Sequence, residues 1–107
     1  MSRLLLLSVA ILVLSGAARA KEGSMTGFEL GRLLGAADRC GIPISDAAVQ
    51  LYVNATVAAD DLEFVHDLHM ATGNAEDAFD KMGDIERHAA CLQTRRVAGA
   101  LRLLKEP

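Results

Sequence analysis

The segment TGFELGRLLGAADRCGIP, residues 26–43, holds a helix start, an apolar face, a cysteine and a helix stop in a single run. Thr26 followed three residues later by Glu29 is a capping box, in which each residue satisfies a backbone or side-chain group of the other. Leu30, Leu33, Leu34, Ala37 and Cys40 then recur at helical spacing on one face. Gly41 suits a left-handed C-terminal cap and Pro43 forbids continuation, so the helix is expected to end at Cys40. Gly31 and Gly35 lie inside it, where their expected use is close packing against another helix rather than phosphate binding.

Cys40 has one possible partner, Cys91. Whether two thiols pair depends on the compartment, and the chain's beginning addresses that. Arg3 precedes a run from Leu4 to Leu14 that is apolar but for Ser8, followed by Ser15, Gly16 and the triplet Ala18, Arg19, Ala20. This is the pattern of a secretory signal peptide with cleavage after Ala20. The run of 11 residues falls short of the roughly 20 needed to span a bilayer. The expected product is residues 21–107, a single helical domain in the periplasm or secreted, with Cys40 and Cys91 joined. Alanine richness and the absence of a cysteine after the cleavage site favour a bacterial periplasm without a lipid anchor.

The remaining sequence reads as further short helices. Ser45 caps one in which Asp46, Gln50 and Asn54 form a narrow polar stripe, so that helix is expected to be central and buried. Asp60 to Glu63 starts another, with Leu62, Val65, Leu68 and His69 inward and Gly73 closing it. Asn74 caps a longer one with Ala78, Phe79, Met82, Ile85, Ala89 and Leu92 inward. Thr94 caps a last one through Lys105, with Val97, Leu101 and Leu104 on its apolar side. No period-two strand pattern occurs. Short connections imply antiparallel neighbours, so the expected fold is all-α, a small up-and-down bundle of four to five short helices stapled by one disulfide.

Eleven Lys and Arg, two of them before position 21, stand against 14 acidic residues, so residues 21–107 carry a net charge of −5 and a nucleic-acid partner is disfavoured. The charges segregate. Nine carboxylates lie between Asp60 and Glu86 beside Lys81 alone, whereas Arg87, Arg95, Arg96, Arg102 and Lys105 follow with no carboxylate among them. The simplest expectation is that these faces attract each other within the bundle. The sharper one is a partner-binding surface of Arg95, Arg96, Arg102, Leu101 and Leu104, with weak membrane-surface contact as a variant.

One cluster has the chemistry of a metal site. Glu63, His66, Asp67, His69 and Met70 fall at three- and four-residue spacings, so His66, His69 and Met70, with His88 or Met82 nearby, are candidate ligands for copper, zinc or haem. Glu63 with His66 forms the Glu-x-x-His pair of di-iron bundles, yet the required second pair is absent. There is no Gly-x-Ser-x-Gly and no Cys-x-x-Cys, so neither an enzyme nor a redox dithiol is expected. No cofactor is required by any motif. Asn54-Ala55-Thr56 matches a glycosylation acceptor but falls in a helix expected to be buried.

In length and in the spacing of its two cysteines, the exported chain resembles the acid-activated chaperones of the bacterial periplasm. The resemblance extends to no sequence motif, and the 16 residues after Cys91 are shorter than that family's tail. It implies a non-enzymatic, chaperone-like accessory role exercised on a protein partner. The alternative expectation is a periplasmic metal- or haem-binding protein using the histidine and methionine cluster.

Overall fold

A computed structural model describes residues 25–106. The expected signal peptide, residues 1–20, lies outside them. Four helices make up the described chain: α1 (Gly27–Cys40), α2 (Asp46–Thr56), α3 (Glu63–Asp80) and α4 (Asp84–Ala100). The only extended pairing among these residues is an isolated bridge between Ile44 and Leu104.

α1 forms as its sequence dictates. The Thr26 hydroxyl oxygen accepts from the Glu29 amide at 3.1 Å, and Gly41 takes φ +67° while Ile42 N–H bonds back to the Ala37 carbonyl at 2.9 Å. This helix is the centre of the fold. On one side, Gly27, Gly31 and Gly35 lie against α3: a β-carbon on each would stand 2.7, 2.5 and 2.5 Å from the carbonyl oxygens of Phe64, Leu68 and Thr72. Each four-residue step along α1 matches a four-residue step along α3, so the two run parallel and in register, backbone against backbone. Ala71 and Ala75 supply small side chains opposite the glycines.

α4 crosses the other side of α1 in the opposite direction. Cys40 at the end of α1 is bonded to Cys91, with Cα atoms 5.6 Å apart, and towards the start of α1 Ala98 joins Leu30, Leu33, Phe64 and Leu103 in the buried core. Beyond α4 the chain turns at Arg102 and buries Leu103. It then ties down the loop between α1 and α2, the Ser45 amide donating to the Leu103 carbonyl at 2.8 Å and the Lys105 amide to the Pro43 carbonyl at 3.0 Å.

Three sequence expectations about these elements are corrected. α2 is peripheral and has no buried residue, with Leu51 exposed; only Ala48, Val49, Tyr52 and Val53 lean on the core. Three of its seven apolar residues are alanines, which gain little by burial, and Leu51 lies on the side turned away from the core. α3 passes straight through Gly73, because Ala71, Ala75 and Phe79 hold it to the core across the roughly 1 kcal/mol cost of a helical glycine. The break comes instead at Lys81–Gly83. α4 likewise passes through Thr94, which is buried and donates its hydroxyl to the Ala90 carbonyl at 2.7 Å rather than capping a new helix.

Candidate functional site

The described surface offers three places of interest. The first is a groove floored by α1 and walled by α3 and α4, which diverge from their tight turn at residues 81–83. Leu33, Ala36, Ala75, Phe79 and Thr94 form its depth, Ala78, Ala90 and Val97 its sides, and Met25 and Met82 also line it. Glu29 and Arg32 supply charge at its edge. The lining is mainly apolar. No part of the described chain covers it. Arg87 closes the turn beside it, folding inward so that its guanidinium donates to the Phe79 carbonyl at 2.6 Å and its Nε is buried without a partner. Helical periodicity predicts an interior place for Ala78, Phe79 and Met82, whereas their side faces this opening.

The second is the outer face of α3. His66, His69 and Met70 are all exposed on it, so the inward placement expected for His69 is corrected. So are Leu62 and Val65, also expected inward. His69 and Met70 border a shallow depression with Thr72, Gly73, Asn74, Glu76 and Asp77. His88 is exposed on α4, and Met82 lies in the groove rather than beside the histidines. Among the described residues no three His, Cys, Asp or Glu side chains are gathered in a metal-binding geometry.

The third is the surface of α4 and its tail. Arg95, Arg96, Arg102 and Lys105 are exposed, whereas Leu101 and Leu104 are half-buried and pack on the core cluster. The five candidate partner-binding residues therefore divide into three accessible arginines and two leucines engaged in the fold. Ile85 and Leu92, expected inward, face outward on α4. Arg102 holds φ +60°, the position where glycine commonly ends a helix.

The charges do not pair as expected. Every ion pair among the described residues belongs to Arg39, which meets Asp80 at 3.0 Å, Glu76 at 3.2 Å and Asp38 at 3.4 Å and ties the ends of α1 and α3 together. The hydrogen bond to Asp80 raises the Arg39 pKa above its ordinary value, with the nearby carboxylate charges adding to it and desolvation opposing. The cations of α4 make no ion pair with the acidic α3 of the same molecule. Asn54 is exposed in the last turn of α2, which removes burial as the reason to discount its acceptor motif.

Among the described residues no helix is long and apolar enough to cross a membrane. The disulfide is compatible with an oxidising, exported location. Comparison with protein-family models, with curated proteins and with solved structures finds no match to this chain.

Proposed function

We propose that this chain is a small exported, non-enzymatic interaction module, an up-and-down bundle whose groove between α1, α3 and α4 takes an apolar segment of a protein partner in a chaperone-like or accessory role. The observation that carries this reading is the apolar lining of that groove, which no described residue covers. Met25 and Met82 supply unbranched, polarisable side chains that refit to different apolar surfaces. Glu29 and Arg32 at the edge give an incoming helix polar anchors of both signs. The parallel glycine-mediated contact of α1 with α3 keeps the floor rigid, so the groove is preformed.

Aggregation of a heat-unfolded client protein without thiol reductant, followed by light scattering, tests it. The wild-type protein should suppress scattering, and Ala78→Arg, which projects a charge into the groove from an exposed helix position, should abolish suppression while leaving helical content unchanged. No suppression by the wild type, or equal suppression by the variant, would overturn the reading.

A further inference from the structure

We infer that one copy of this chain seats the outer face of α4 on the outer face of α3 of a second copy. α4 turns Ile85 and Leu92 to solvent, at 89% and 55% exposure, and their seven-residue spacing puts them on one stripe. At the start of α3 the N-cap residue Leu62 is 84% exposed and Val65 67%, with Met70 further along the helix. From Ile85 to Leu92 is about 10 Å along a helix and from Leu62 to Met70 about 12 Å, so the two apolar stretches match in length.

The charge pattern selects the occupant and its direction. Arg95 and Arg96 lie just beyond the C-terminal end of the α4 stripe, and Asp60, Asp61 and Glu63 flank the N-terminal end of the α3 stripe. All five are exposed and none forms an ion pair with a described residue of its own copy. Laid antiparallel, Leu92 meets Leu62 and Val65, Ile85 meets Met70, and the arginines reach the three carboxylates. Laid parallel, Asp84 and Glu86 at the start of α4 would confront those same carboxylates. The complementary surface thus belongs to the chain itself, which favours a second copy over an anionic membrane. Arg102, exposed in a strained backbone position, adds a cation at the same end of α4.

This contact uses faces away from the groove, so Ala78→Arg should leave it intact and its failure would leave the groove reading standing. Sedimentation of the disulfide-bonded protein over a concentration series reads it out. The wild type should rise above monomer mass at low ionic strength and dissociate in part near 1 M salt, where the screening length is about 3 Å. The pair Arg95→Glu with Arg96→Glu, and separately the triple Asp60→Lys, Asp61→Lys and Glu63→Lys, should each weaken association at least tenfold, and mixing the two variants should restore it. Leu92→Glu, at an exposed site, should weaken it without any change in the arginines. A wild type that stays monomeric at every concentration, variants that associate like wild type, or a mixture that stays monomeric would each overturn the inference.

Discussion

Gly31 of α1 sits so close to Leu68 of α3 that a β-carbon on the glycine would stand 2.5 Å from the Leu68 carbonyl oxygen. Real β-carbons do not approach backbone oxygen at that distance, so the parallel register of α1 and α3 depends on the absence of a side chain there. Gly31→Ala should therefore cost about 2 kcal/mol or more by forcing the helices apart in the core. Gly73 is the internal control, since nothing lies within 4 Å of its would-be β-carbon in the middle of α3. Gly73→Ala should stabilise by about 0.5–1 kcal/mol through helix propensity alone. Urea unfolding of both variants decides it, and a neutral Gly31→Ala would show the α1–α3 contact to be looser than described.

The Cys40–Cys91 bond closes a loop across a sequence separation of 51 residues. In the chain-entropy model such a loop is worth about 4 kcal/mol, a large share of the 5–15 kcal/mol typical of a domain. Replacing both cysteines by serine should lower the unfolding free energy obtained from urea titration by that order, with reduction of the wild type giving a similar loss. A change below about 1 kcal/mol would mean that the core alone holds α4 on α1.

Arg102 occupies the left-handed region that costs a residue with a β-carbon about 1–2 kcal/mol. Arg102→Gly should raise stability by about 1 kcal/mol in thermal unfolding. The same change should weaken self-association, separating the cost of the backbone from the use of the side chain.

The histidine cluster gives a fourth prediction. With His66, His69 and Met70 exposed and no further His, Cys, Asp or Glu set gathered beside them among the described residues, calorimetric titration with zinc or copper(II) should show no stoichiometric site. A one-to-one isotherm lost in the His66→Ala, His69→Ala double variant would instead support metal binding on α3.

The parts of the fold that rest on local chemistry were legible in the sequence. Thr26 with Glu29, Gly41 before Pro43, and Ser45 each act through neighbours within a few residues, and their helix ends fall where expected. Gly73 and Thr94 misled because each is a helix breaker or cap only when nothing else holds the backbone, and packing against α1 overrides both. The narrow polar stripe of α2 does not require the rest of its surface to be covered: Val49, Tyr52 and Val53 lean on the core while Leu51, Ala47 and Ala55 stay exposed. The groove was illegible for a different reason: it lies between helices far apart in sequence, and periodicity can say that Phe79 and Met82 share a face without saying whether that face is covered. Ile85 and Leu92 were assigned inward on the same ground, and the true α4 begins only at Asp84, which rotates that face to solvent.

Methyl NMR of selectively labelled methionine, during titration with an amphipathic helical peptide, tests the groove most directly. Met25 and Met82 line it, and Met70 lies outside it on the outer face of α3, in the same spectrum. Saturable shifts of the Met25 and Met82 methyls with Met70 unmoved are the predicted result. Shifts confined to Met70, or none at any peptide concentration, would contradict the account.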